Sequence, residues 1–190
     1  DKNKNSIVRI KENNPSTKET VFFFFFIVLS KDGTIATDRK TVSLTNIYTA
    51  VMSDGTNVKI IPEGVDKQTN FILFKAELPE KSTLVFTPAS LSTAEPKLGQ
   101  TLISLGGDIA DIVSVGRILS LDVKDTTVGS TTTKQLVGIN TDVVSKDLVT
   151  GSPVFNLSGD IIGIKLTNDP LKSFTPISVL KKELISISSN

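Results

Sequence analysis

Short apolar segments separated by turn-forming residues run along most of the chain. About a third of the residues are Val, Ile or Thr, whose β-branched side chains favour strands over helices. Dipeptides such as Asp32-Gly33 and Asp54-Gly55 lie between the apolar segments, where they indicate tight turns or hairpins. The pattern predicts about a dozen strands, at residues 7–10, 21–29, 34–37, 47–52, 58–61, 71–76, 84–86, 102–105, 112–123, 136–139, 154–156 and 161–166.

One strand and one helix have the clearest patterns. Within 112–123 the apolar residues predicted to share one face are Val113, Val115, Leu119, Leu121 and Val123. Arg117 and Ile118 interrupt this alternation and indicate a bend or a bulge. After Pro176, apolar residues recur with the spacing of one helix face, at Ile177, Leu180 and Leu184.

The predicted strands divide into two groups of similar size. Residues 88–100 contain fewer apolar side chains than the segments around them, which indicates a linker. The many short strands predict an all-β barrel or sandwich architecture. The predicted units are an N-terminal β-barrel at 1–89, a linker at 90–100, a C-terminal β-barrel at 101–175, and a helix and tail at 176–190.

Composition removes several classes of function. The chain has 21 Lys and Arg against 20 Asp and Glu, a net charge of +1, which argues against nucleic-acid binding through a basic surface. The longest apolar run, 21–29, is too short for a membrane-spanning helix. With no Cys and no His, the chain lacks thiolate ligands and the commonest general base and metal ligand. We therefore expect no metal and no other cofactor.

Four motifs occur in a fixed order along the chain. They are SKDGTIAT at 30–37, SDG at 53–55 followed by Gly64 and DKQTNFILFK at 66–75, INTD at 139–142, and a glycine-rich pattern at 151–164. A looser match, Phe174-Thr175-Pro176, precedes the predicted helix. In sequence and spacing these motifs resemble those of HtrA-type, trypsin-like serine protease domains.

The resemblance covers residues 7 to about 184 and carries several implications. It implies two six-stranded antiparallel β-barrels with the active site in the cleft between them, followed by a short C-terminal helix. It also implies an extracytoplasmic setting, periplasmic or at the cell surface. Because the sequence starts at Asp1 rather than Met, we expect a processed or excised piece, with any membrane anchor outside it. The oligomeric state is not predicted.

The catalytic positions of the family carry different residues in this chain. Aligned on the motifs, Lys40 stands where the family has its catalytic His, Asn70 where it has the triad Asp, and Thr150 where it has the nucleophilic Ser. Leu148 replaces a Gly whose backbone N–H forms part of the oxyanion hole. Ser152 follows Gly151 but occupies a non-catalytic Gly position, so we do not assign it as the nucleophile.

Each replacement weakens acyl-transfer chemistry. A lysine side chain is normally protonated at neutral pH and cannot accept a proton, and Asn70 carries no charge to stabilise a cationic partner. The methyl group of Thr150 restricts its side chain, and the β-carbon of Leu148 disfavours the backbone conformations available to Gly. We therefore predict an inactive protease homologue that binds a polypeptide or a protein partner. Two alternatives stay open: a slow serine-type endopeptidase using Thr150 with Lys40 as an unconventional base, and a purely structural domain.

The resemblance also implies candidate binding residues. Phe24, Phe25 and Phe26 align with a G-S-G segment that borders the side of the cleft where the departing end of a substrate lies. These residues either alternate between the core and the outer face of a barrel strand, or fill that side of the cleft. Val144 would line the base of the primary specificity pocket and make it apolar. Asp142 is expected to bind nearby backbone.

Overall fold

A computed structural model describes residues 2–3, 5–17, 20–63, 70–107, 111–128, 130–144, 148–170 and 173–188 of the chain. The strands among them are β1 Ile7–Asn13, β2 Thr20–Val28, β3 Thr34–Asp38, β4 Ile47–Val51, β5 Asn57–Glu63, β6 Phe71–Ala76, β7 Thr101–Gly106, β8 Ile112–Val128, β9 Thr131–Thr141, β10 Pro153–Phe155, β11 Ile161–Ile164 and β12 Ser173–Pro176. A 3₁₀ turn spans Arg39–Thr41, and the helix α1 spans Ile177–Ser188. No helix in the described ranges is long and apolar enough to cross a membrane.

The strands form two closed six-stranded barrels. The first has the strand order β1-β2-β3-β6-β5-β4, and the second has the order β10-β11-β12-β9-β8-β7. Neighbouring strands in both barrels are antiparallel, as in β1 with β2 and β7 with β8. The prediction of an all-β double barrel with a C-terminal helix is therefore confirmed.

One predicted strand does not form, and one strand of the structure was not predicted. Residues 84–86 form no strand, although Phe86 is buried and its N–H donates to the carbonyl of Lys31. A short apolar run of this kind cannot distinguish a strand from a buried loop. The strand β12 was missed because its sequence, SFTP, has little apolar character, and its partners β9 and β11 come from elsewhere in the chain.

Aromatic side chains fill the first barrel. Phe26 and Tyr48 both pack on Phe74, with ring centroids 5.3 and 5.1 Å apart. The buried Tyr48 hydroxyl donates to the Glu12 carboxylate at 2.8 Å and accepts the N–H of Ser43 at 2.8 Å. Burial, followed by the bond to Glu12, raises the pKa of Tyr48 well above its usual range. The polar end of this aromatic cluster is therefore satisfied inside the barrel.

A separate apolar cluster joins the two barrels and the helix. From the first barrel it includes Ile27 and Phe71, and from the second it includes Ile161 and Ile164. The helix contributes Leu180, which is fully buried. The apolar face predicted for the C-terminal helix thus packs against the junction of the barrels and holds them together.

The long strand β8 departs from the usual burial of a barrel strand. Val113, Val115 and Leu119 are exposed, whereas Gly116 and Ile118 are buried. A bulge at Leu119 shifts the pairing of β8 with β9, at the place where the sequence pattern indicated an irregularity. The predicted apolar row therefore lies mostly on the solvent side of the second barrel.

Candidate functional site

The end of β3 positions Lys40. Asp38 ends the strand and caps the 3₁₀ turn, with its carboxylate accepting the N–H of Lys40 at 2.8 Å. Its other oxygen accepts the N–H of Thr167, from the second barrel, at 2.6 Å. The N–H of Arg39 donates to the carbonyl of Asn70 at 3.0 Å, which brings Asn70 beside the turn. Two of the three predicted triad positions therefore lie next to each other.

A cavity of about 190 Å³ forms between the barrels at this point. Its lining includes Asp38, Lys40, Asn70, Asp169 and Thr175. Both Lys40, which was predicted at the family's histidine position, and Asn70 are exposed to solvent. Thr150 is not among the residues lining this cavity.

Two charged groups, the buried Lys165 and the half-buried Asp169, support one wall of the cavity. The Asp169 carboxylate accepts the N–H groups of Leu166 and Thr175, at 2.8 and 3.0 Å, and burial raises its pKa. The Lys165 ammonium donates to three backbone carbonyls, those of Asp169, Pro170 and Ser173, and burial lowers its pKa. These groups fix residues 165–170 and 173–175, and the sequence reasoning did not identify either of them.

The loop that carries Thr150 is a tight turn. Ser152 donates its N–H to the Val149 carbonyl at 3.0 Å, and its hydroxyl accepts the N–H of Val149 at 3.0 Å. Gly151 has a φ of +81° and donates its N–H to Lys165. The buried Ser152 hydroxyl therefore supports the turn.

Leu148, which was predicted at a glycine position of the family, has a side chain that packs in the second barrel. It is half-buried and contacts the core cluster of the second barrel, which includes Leu102 and Phe174. A glycine at this position has no such anchor. Residues 145–147, which precede it, lie outside the described residues.

The phenylalanine run divides between two environments. Phe26 lies in the core of the first barrel, whereas Phe25 is buried between the barrels and has the Arg9 guanidinium 4.9 Å above its ring. Arg9 also pairs with Asp111 of the second barrel, at 2.5 Å from Nη2 and 3.1 Å from Nε. The side chain of Phe24 lies outside the described residues.

A groove of about 600 Å³ opens beside Phe25. Its apolar walls come from both barrels, and they include Phe25, Met52, Ile103, Phe155 and Leu157. Its charged side chains are paired: Arg9 with Asp111, and Lys2 with Asp160 at 2.6 Å. Except for Phe25, sequence reasoning missed the groove, because its residues come from six strands and the loops beside them and carry no shared local motif.

Val144 and Asp142 follow the end of β9. The Val144 side chain is half exposed and lines neither the cavity nor the groove. The Asp142 carboxylate accepts the backbone N–H of Arg117 at 2.5 Å, and this bond is the main cause of its lowered pKa. No cluster of three or more His, Cys, Asp or Glu in the described ranges could hold a metal ion.

Two bacterial proteins described as "Probable periplasmic serine endoprotease DegP-like" are similar in sequence. The one from Rhizobium meliloti (strain 1021) is 29% identical over 143 residues, which cover 74% of this chain and 26% of that protein. The one from Brucella suis biovar 1 (strain 1330) is 27% identical over 139 residues, covering 72% and 26%. The chain thus spans about a quarter of the length of the curated relatives it matches. No protein-family model matches it.

A solved structure supports the same relationship at the level of fold. The crystal structure of Deg5 aligns with a TM-score of 0.71 over 95% of this chain and 88% of the Deg5 chain, at 18% identity. In sequence and in its double-barrel fold, the chain therefore resembles the protease domain of HtrA-type, trypsin-like serine proteases.

Proposed function

We propose that this domain is a catalytically inactive homologue of HtrA-type proteases that binds a polypeptide. The observation that carries the proposal is that Lys40 and Asn70 line the same cavity between the barrels. A solvated ammonium and a neutral amide do not supply a base and an orienting carboxylate. The nearby Asp38 does not replace them, because its two oxygens accept the N–H groups of Lys40 and Thr167.

The groove beside Phe25 supports binding of an apolar polypeptide segment. Its volume of about 600 Å³ lies within the range of ligand sites, and its walls are mainly apolar. Because its charged groups Lys2, Arg9 and Asp111 are already in ion pairs, an uncharged segment can enter without leaving a charge unpaired. Phe25 also links the groove to the Thr150 loop, since its backbone lies against Gly151.

The setting that we propose is extracytoplasmic. The DegP-like relatives are described as periplasmic, and this chain covers only part of their length. The domain would then act as one segment of a larger protein outside the cytoplasm.

Absence of catalysis is tested with a fluorophosphonate probe, which labels an activated hydroxyl nucleophile. We expect no labelling of the folded protein between about pH 6 and 10, because among the described residues no side chain is hydrogen-bonded to the Thr150 hydroxyl to activate it. Trypsin serves as the positive control, and circular dichroism verifies the fold. Labelling of wild type that is lost in Thr150→Ala would instead establish the slow endopeptidase.

Binding is tested with fluorescein-labelled, reduced and carboxymethylated α-lactalbumin, an unfolded polypeptide, by fluorescence anisotropy. Leu157→Asp places a charge on the groove wall at a side chain that is 71% exposed, so the fold tolerates it. We expect this change to weaken binding about tenfold, equivalent to about 1.4 kcal/mol. The matched control is Leu98→Asp, at a leucine 66% exposed and outside the groove, which should bind as wild type does. Equal binding by both variants, or none by wild type, would contradict the proposed site.

A further inference from the structure

The hairpin of β8 and β9 has an unpaired edge. Strand β8 pairs with β7 only as far as Arg117, and with β9 from Ile118 to Val128. The backbone of Ile118 still bonds to Gly99 and Gln100, and beyond Ile118 no strand of the described residues pairs with this edge of β8. Because a two-stranded ribbon is marginally stable by itself, and a free edge offers unpaired backbone groups, this edge is suited to pairing with another strand.

The same edge exposes apolar and charged side chains. Leu119 and Val123 are 60% and 53% exposed, and Asp122, Lys124 and Asp125 are also open to solvent. A lysine on an edge strand usually discourages pairing. Here Lys124 lies between two aspartates, so an acidic side chain is available to face it across a pair of strands.

The order of these residues is self-complementary. When two copies of β8 lie antiparallel with Val123 facing Val123, Asp122 of each copy lies directly opposite Lys124 of the other. A shift of the two-fold axis by one residue places Asp122 opposite Asp122, or Lys124 opposite Lys124. Opposite charges in facing positions stabilise a sheet and like charges destabilise it. Of these three registers, only the one centred on Val123 is complementary.

We propose that two copies of this chain associate through the free edge of β8, in antiparallel register centred on Val123. The two hairpins then form one continuous four-stranded ribbon across a two-fold axis, an isologous arrangement in which each strand meets the same strand of the other copy. Pairing supplies partners to the exposed backbone of β8 and covers Leu119 and Val123. The association is independent of the polypeptide groove, to which Asp122, Val123 and Lys124 do not contribute.

Two variants with reversed charges test the register. Their self-association is measured by sedimentation velocity over a range of protein concentrations. Asp122→Lys and Lys124→Asp each place like charges opposite one another, and each should weaken self-association about tenfold or more. An equimolar mixture of the two variants should associate as wild type does, because each then meets its opposite charge. A monomeric wild type, or a mixture no tighter than the single variants, would overturn the proposal.

A cross-link tests the position of the axis. The chain has no cysteine, so Val123→Cys introduces a single thiol at the proposed axis. We expect rapid disulfide-linked dimer under mild oxidation. Lys134→Cys, on the exposed part of β9, is the matched control and should form no disulfide-linked dimer, because the two β9 strands lie on the outside of the ribbon. Equal cross-linking of both variants would contradict the β8 edge.

Discussion

Single residues fix the backbone around Thr150. Gly151 has a positive φ, and a β-carbon at this position would lie only 2.0 Å from the carbonyl oxygen of Phe25. Its N–H is also bound by the Lys165 carbonyl. The turn therefore requires glycine both for its conformation and for the close approach of β2.

We expect Gly151→Ala to destabilise the protein by about 3 kcal/mol or more, because conformational strain adds to steric overlap with Phe25. Gly55→Ala is the control, since Gly55 has a similar φ of +85° but open space around it, and should cost about 1 kcal/mol. Urea denaturation measures both values. Equal losses of stability in the two variants would show that overlap with the Phe25 backbone does not destabilise Gly151→Ala.

Short elements connect the barrels at the candidate site. The end of β3 and the 3₁₀ turn hold Lys40, and the Asp38 carboxylate reaches from them to Thr167 of the second barrel. The family resemblance identified Lys40 and Asn70 but gave no role to Asp38. This carboxylate sets the spacing of the two walls of the cavity.

We expect Asp38→Asn to destabilise the protein by about 2 kcal/mol, because an amide group cannot accept both the Lys40 and Thr167 N–H groups. Asp54→Asn removes a carboxylate that accepts the Thr56 N–H in an exposed turn, and should change stability by less than about 0.5 kcal/mol. Thermal and urea unfolding compare the two variants. A similar, small effect for both would mean that the link between the barrels contributes nothing.

In the whole molecule, the cluster between the barrels couples their stability. Ile27 and Phe71 of the first barrel contact the same apolar cluster as Ile161 of the second and Leu180 of the helix. Each barrel therefore buries part of its apolar surface only against the other, and we infer that the described chain unfolds as one unit.

Leu180→Ala tests this coupling and should cost 2–5 kcal/mol, as expected for a fully buried leucine. Tyr48, the single tyrosine, reports on the first barrel by fluorescence, while circular dichroism reports on both barrels. We expect the unfolding midpoints measured by fluorescence and by circular dichroism to shift to the same lower urea concentration. Ser178→Ala, on the exposed side of the helix, should leave the midpoint unchanged. Separate midpoints would mean that the barrels unfold independently.

Local patterns predicted most of the strands, because the alternation of side chains and the turn residues act over a few positions. The run 71–76 was predicted with the same limits as β6, and the helix after Pro176 was recognised from its apolar spacing. The strand β12 and the loop at 84–86 were misassigned because burial by distant segments, and not local pattern, decides their state. Similarly, exposure of Val113 and Val115 depends on which face of β8 meets the barrel core.

By itself the sequence determined an all-β chain with a C-terminal helix, since strand alternation and helix spacing are local. The six-stranded double barrel and the predicted triad positions came from the resemblance of its motifs to those of HtrA-type proteases. Only the tertiary structure decided that Asp38 binds Thr167, that Phe25 borders a groove, and that the far edge of β8 is free. The bond between Asp38 and Thr167 alone joins residues 129 positions apart in the chain. Contacts over such distances depend on how the barrels close and pack, which no short window of sequence specifies.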